Sequence, residues 1–252
     1  LLLLSIESLG FKPLYSWMLQ QSNRCNKLQW NGTWDNKLNI ILIPSGFGDD
    51  EEKFKQVATR IYNNFDSYVH LKKDNILLNV AYISPKNNHS ICNFGLFGLT
   101  VSYFLTCDPI QAELMSLHCT DNYHPVVIEN SQEFGGGGIP GLIAASTIVY
   151  GFEQITAHEL NHSIFLLGDE YPSGDYSNPL TFPNCAFSDQ CFKWKDLIDA
   201  QIGDADCYPY SCGGGSFWGT SENNNMVNQY IDDLGTVNER LVCCRYIDIT
   251  HN

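Results

Sequence analysis

Residues 158–162 read His-Glu-Leu-Asn-His, two imidazoles four positions apart with a carboxylate between them. On an α-helix that spacing turns the chain through about 400°, so both histidines leave nearly the same face. Two neutral ring nitrogens placed this way can share one zinc ion at about 2.0–2.1 Å. Glu159 lies about 100° round the helix from His158, where a carboxylate reaches a metal-bound water without displacing it, the place of a general base. The chemistry implied is metal-assisted hydrolysis. The plain alternative is a pair of solvated helical histidines. The surroundings argue against it, because Ile155, Ala157, Leu160, Ile164, Phe165, Leu166 and Leu167 make the segment strongly apolar. Buried imidazoles need partners, and a metal is one.

A catalytic zinc takes a third protein ligand and leaves its fourth place to water. Gly168-Asp169-Glu170-Tyr171 follows the motif at the distance where that ligand is needed. Asp169 is the first choice and Glu170 the second. An acid near a helix C-terminus opposes the helix dipole, and a bound dication would compensate it. On this reading Asp169→Ala costs metal affinity and Glu170→Ala does not.

The elements that must position these groups are legible as alternating patterns. The motif falls on a helix expected from Phe152 to Leu167 and stopped by Gly168. Apolar runs at Leu38–Ile43, Ile76–Ile83 and Pro125–Glu129 suit buried strands. Between them, Asp49–Phe65 has a helical apolar period with acids in its first turn, and Asp108-Pro109 is a capped helix start. Strand–helix alternation predicts an α/β fold with a mixed, largely parallel sheet flanked by helices. The stretch from Gly168 to about Val227 is rich in Gly, Pro, Asn and Cys, an irregular C-terminal part expected to be stapled by disulfides. Within it a short helical patch is expected near Lys193 to Ala200, and Thr236-Val-Asn-Glu239 beyond it reads as a capping box. With no repeat or linker, residues 37–252 read as one zinc metallopeptidase domain, preceded by an N-terminal extension at 1–36.

Composition narrows the partners. The chain has 252 residues, 44% of them apolar, enough for a substantial core. Its 28 acids against 14 bases give a formal charge of −14, which excludes a nucleic-acid binder and disfavours anionic membranes. No apolar run is long enough to span a bilayer. Ten cysteines without a CxxC point to disulfides and an oxidising, secreted setting rather than to a zinc ribbon. Cys185 with Cys191, and Cys207 with Cys212, are the local pairs expected first. Asn31-Gly-Thr and Asn88-His-Ser are glycosylation sequons, and Asn161-His-Ser, inside the metal motif, is discounted. The opening Leu1–Leu4 reads as the tail of a signal peptide or as the start of a strand or helix.

HELNHSIFLLGDEY resembles the active-site signature of the IgA-peptidase family of secreted zinc metallopeptidases: HExxH, then a glycine, then Asp-Glu-Tyr. IILIPSGFGDDEEKF resembles that family's first strand and following helix, and VVIENSQEFGGGG its strand ending in Asn-Ser with a Gly-rich run. PNCAFSDQCFKWKDLI and NNNMVNQY resemble its downstream segments, so the likeness runs over about residues 38–250. It implies a zincin- or metzincin-like fold, a polypeptide substrate, zinc on His158, His162 and Asp169, and Glu159 as general base. The third ligand differs from the metzincin histidine ten residues after the first, since position 168 is glycine here. Met226 is expected to form a turn beneath the zinc, as in metzincins. Tyr230 and Tyr171 are candidate donors to the oxyanion.

The Gly-rich run Gly135, Gly136, Gly137 and Gly138 is expected to form the upper rim of the cleft. There it would hold an extended peptide as an added strand, which predicts an endopeptidase. Residues 136–141 also fit GxGxxG, but Pro140 and the late position in the chain argue against a dinucleotide site. The competing reading of the whole chain is an inactive, peptidase-like surface binding protein. An intact Glu159 favours the enzyme.

Overall fold

In the computed structural model the described residues are 24–68, 71–72, 75–95, 104–171, 182–212, 217–221 and 224–251. The leucines at 1–4 lie outside them. Six strands form the main sheet: β1 (Cys25–Gln29), β2 (Leu38–Ser45), β3 (Leu78–Ile83), β6 (His124–Glu129), β7 (Gly136–Ile139) and β8 (Ile143–Thr147), in the order β1-β3-β2-β6-β8-β7. Two short antiparallel pairs form small sheets of their own, β4 (Cys92–Phe94) with β5 (Leu105–Cys107), and β9 (Tyr208–Cys212) with β10 (Phe217–Gly219). Among the described residues there are five α-helices: α1 (Glu51–Asn64), α2 (Pro109–Ser116), α3 (Phe152–Ser163), α4 (Lys195–Asp199) and α5 (Thr236–His251). The four central strands run parallel, and β1 and β7 close the edges antiparallel. The α/β architecture with a largely parallel sheet is as the sequence led us to expect. Within the segment read as an N-terminal extension, β1 adds an edge strand.

Every residue of β2 and β3 is buried, because helices and loops cover both faces of the sheet. Alternation along β2 divides the core. Ile40 and Leu42 point into a layer with Phe54 and Ile61 of α1 and Leu160 of α3, while Ile41 and Ile43 meet Cys92, Cys107 and Ala112 on the other face. The expected acids stand in the first turn of α1 as Glu51 and Glu52, and the expected capped start of α2 forms. Asp50 accepts from Lys53 N at 3.0 Å, and Asp108 accepts from Ile110 N and Gln111 N with Pro109 at the first turn. The expected capping box at α5 does not form. Thr236 Oγ1 accepts from Asp204 N instead, and Glu239 N donates to Gly235 O.

Four disulfides join Cys25–Cys119, Cys92–Cys107, Cys185–Cys212 and Cys191–Cys207. The last two correct the expected Cys185–Cys191 and Cys207–Cys212 pairs. Nearness in sequence loses to strand pairing here. Ala186 bridges Trp218 in the small sheet where Cys212 faces Phe217, so Cys185 arrives beside Cys212. Cys191 instead packs with Trp194, Leu197 and Val237 in a separate cluster against which Cys207 lies. Cys243 and Cys244 are unpaired and exposed on α5. Alkylation of the native protein without reductant is therefore expected to add two labels per chain, both on the tryptic peptide containing Cys243 and Cys244, and eight further labels only after reduction.

The sequon amides are already engaged. Asn31 Nδ2 donates to the carbonyls of Asn75 and Leu78, Asn88 Nδ2 donates to Pro44 O, and Asn161 is wholly buried. A glycan at Asn88 or Asn161 would have to displace packed core. Among the described residues no helix is long and apolar enough to cross a membrane.

Candidate metal centre

Helix α3 is buried along nearly its whole length, packed on β7, β8 and α1. It ends at Ser163, four residues before the expected stop. The turn is made by Leu166, whose φ of 62° is left-handed and costly for a branched side chain. Gly168 is therefore not the terminator. A Cβ there would meet the Phe182 ring at 2.8 Å, and its N–H and carbonyl both bond the Asn184 side chain. The early turn carries Leu167 O back to His162 Nδ1, at 2.6 Å, and brings Asp169 over the histidines.

His158 Nδ1 faces Asn225 O at 2.9 Å. Carbonyl oxygens only accept, so each imidazole carries its hydrogen on Nδ1, and in the neutral ring Nε2 is left with a lone pair. Both Nε2 atoms and Asp169 Oδ1 converge, each 3.0 Å from the other two. Three electron-rich atoms at that spacing, with His158, His162 and Asp169 all below a tenth exposed, repel one another unless positive charge sits among them. Two imidazole nitrogens and a carboxylate oxygen are a donor set suited to zinc. Burial opposes charge on His162, but the facing Asp169 carboxylate outweighs it and lifts the imidazole to about 9. Burial likewise opposes the Asp169 charge, and the His162 imidazole overrides it, holding that carboxyl well below the usual range. Without a metal the positive charge between these atoms is a proton on His162, which a bound metal ion would displace.

Glu159 lines the same cleft, a cavity of about 270 Å³ framed by Phe104, Phe134, Gly136–Gly138, Tyr171 and Val227–Gln229. Burial pushes its carboxyl upward, partly offset by His158 and His162. That suits a group that must accept a proton and then give it back. Of the Gly-rich run, Gly136, Gly137 and Gly138 belong to β7, the edge strand along the cleft, and Gly135 stands just before it. Phe104 bridges Gly136 on its outer side, and the chain beyond it presses on Gly137, where a Cβ would run into Leu105 O. Tyr171 is among the cleft residues, whereas Tyr230 lies against Gly151 and lines a neighbouring cavity with Arg60 and Gln154. Met226 is wholly buried, and its carbonyl accepts from Glu170 N at 2.8 Å. Sequence reasoning missed the carbonyls of Asn225 and Leu167 that orient the two imidazoles. The Asn-rich run before Met226 was the only trace of the first, and a leucine carbonyl leaves none.

An α/β fold whose buried HExxH helix gathers two histidines and an aspartate at one point, with a free carboxylate beside them, has the make-up of a metal-dependent hydrolase. The chain belongs to the IgA Peptidase M64 family, which it matches over residues 27–211. It is therefore a peptidase from a family of metallopeptidases, and polypeptides are its class of substrate. A comparison with curated proteins gives no match.

Proposed function

We propose that the protein is a secreted zinc endopeptidase with His158, His162 and Asp169 as ligands and Glu159 as general base. The observation that carries this reading is the mutual 3.0 Å spacing of the two Nε2 atoms and Asp169 Oδ1. Zinc bound there would supply Lewis acidity and a water of lowered pKa. Glu159 takes the proton of the attacking water and returns it to the leaving amine. Tyr171, on the cleft wall, is the favoured donor to the developing oxyanion, ahead of Tyr230. The cleft-lining strand β7, Gly136 to Gly138 with Gly135 before it, would hold an extended peptide by its main chain on both sides of the scissile bond. Four disulfides support maturation in an oxidising compartment outside the cytosol.

The purified protein, never exposed to chelator, is expected to hold about one zinc per chain and to cleave internal bonds of casein. Activity should vanish with a chelator and return with zinc. Metal analysis well below half an equivalent would overturn the metal assignment. Release of single terminal residues in place of internal fragments would overturn the endopeptidase reading.

A further inference from the structure

Glu170, next to the third candidate ligand, is wholly buried. Its carboxylate accepts from Asn184 Nδ2 at 2.9 Å, Asn238 Nδ2 at 2.8 Å, and Thr220 N and Oγ1 at 2.6 and 2.9 Å. These donors come from three segments: the loop after the motif, the end of β10, and α5. All are neutral. A charge taken out of water without a cation is costly, and only a full set of donors makes it tolerable. Strand β10 leaves room for the carboxylate, since a Cβ at Gly219 would lie 2.7 Å from Glu170 Oε2.

One of these donors, Asn184, also holds the backbone before Asp169, and a main-chain bond holds it after. Asn184 Oδ1 accepts from Gly168 N at 2.7 Å, and its Nδ2 also donates to Gly168 O at 2.8 Å. On the far side Glu170 N donates to Met226 O at 2.8 Å, one residue from the carbonyl that orients His158. Asp169 thus sits between two clamped residues.

We propose that Glu170 is a positioning residue: through Asn184, Thr220 and Asn238 its buried carboxylate locks Asp169 at the point shared by His158 and His162. This rests on the metal reading above, and it reverses the expectation that Glu170→Ala leaves metal affinity untouched. A glutamine at 170 would keep the volume but put an amide N–H₂ against Asn184 Nδ2, Asn238 Nδ2 or Thr220 N, which only donate, with Thr220 Oγ1 the one partner able to accept, so a small change in shape loosens the lock.

The test is zinc affinity, by competition with a chromophoric chelator, of the parent, Glu170→Gln, Asp169→Ala and the double variant. Melting temperatures of the metal-free proteins are taken in parallel. Glu170→Gln should weaken zinc roughly 10–100-fold and shift the visible bands of the cobalt(II) form. In the Asp169→Ala background the same change should alter affinity by less than about twofold, because the residue it acts through is gone. A merely structural Glu170 would lower the melting temperature and add its full effect in both backgrounds, which would overturn the proposal. So would unchanged zinc affinity in a folded Glu170→Gln. Should that variant fail to fold, Asn238→Ala removes the α5 donor alone. It should still weaken zinc, and parental affinity there would overturn the proposal. A parent that takes up no zinc would instead overturn the metal reading and this inference with it.

Discussion

Glu159→Gln is expected to cut casein turnover by roughly 10²–10⁴-fold while zinc content and melting temperature stay at parental values. The amide keeps the shape and volume of the carboxylate but cannot take a proton from water. Its neighbours tolerate the exchange. The groups that fix the metal point are Asn225 O on His158 and Leu167 O on His162, and Glu159 is bonded to neither. Removing its charge also relieves a buried carboxyl that burial already pushes upward. The loss should therefore fall on kcat, with KM for a long peptide nearly unchanged. Near-normal turnover in a fully metallated variant would remove Glu159 from the general-base role.

What the sequence makes legible follows from how local each cause is. β2 and β6 are apolar over most of their length, so their burial in a parallel sheet is visible within two residues of the observed ends. The caps of α1 and α2 rest on Asp50 and Asp108, whose side chains act two or three residues away. The end of α3 is hidden because Phe165, Leu166 and Leu167 continue an apolar helical pattern. What stops the helix is the left-handed Leu166, without a glycine to announce it, and the turn is closed by Leu167 N donating to Asn161 O. Strand β7 is hidden for the opposite reason. Gly136, Gly137 and Gly138 make up three of its four residues, glycine lacks strand propensity, and only pairing with β8 makes it a strand. The disulfide pairs of the irregular part depend on the β9–β10 pairing, so local spacing points to the wrong partners.

The candidate site divides the same way. His158, Glu159 and His162 are readable because one helix sets their spacing, and Asp169 because the chain must turn directly after it. The groups that make the site rigid come from far away: Asn184, Asn238, Thr220 and Asn225 act through side-chain amides, a hydroxyl and one main-chain carbonyl, at no fixed spacing from the motif. Glu170 shows the limit most clearly. As a residue type it is a plausible metal ligand, and only its four donors reveal a carboxylate turned into the protein.

Single-methyl changes in the Gly-rich strand should separate the metal from the base. At Gly138 a Cβ would stand 2.6 Å from His162 Cβ and 2.7 Å from Glu159 O. Both atoms belong to the body of α3, so neither can swing aside as a side-chain tip could. Strand and helix must move apart, and His162 moves with them. Gly138→Ala is expected to destabilise the protein by about 1–3 kcal/mol and to weaken zinc at least roughly tenfold. Gly138 has no left-handed φ, so the cost is contact alone and not backbone strain. At Gly136 the added methyl would overlap Glu159 Oε1, the far end of a flexible side chain. Gly136→Ala should therefore turn the general base aside, with zinc retained and turnover lost. Zinc titration and casein kinetics on the two variants distinguish these outcomes. Parental zinc affinity in Gly138→Ala would mean that the β7–α3 contact does not hold His162 in place. Parental turnover in Gly136→Ala would mean that Glu159 finds its working position without the glycine beside it.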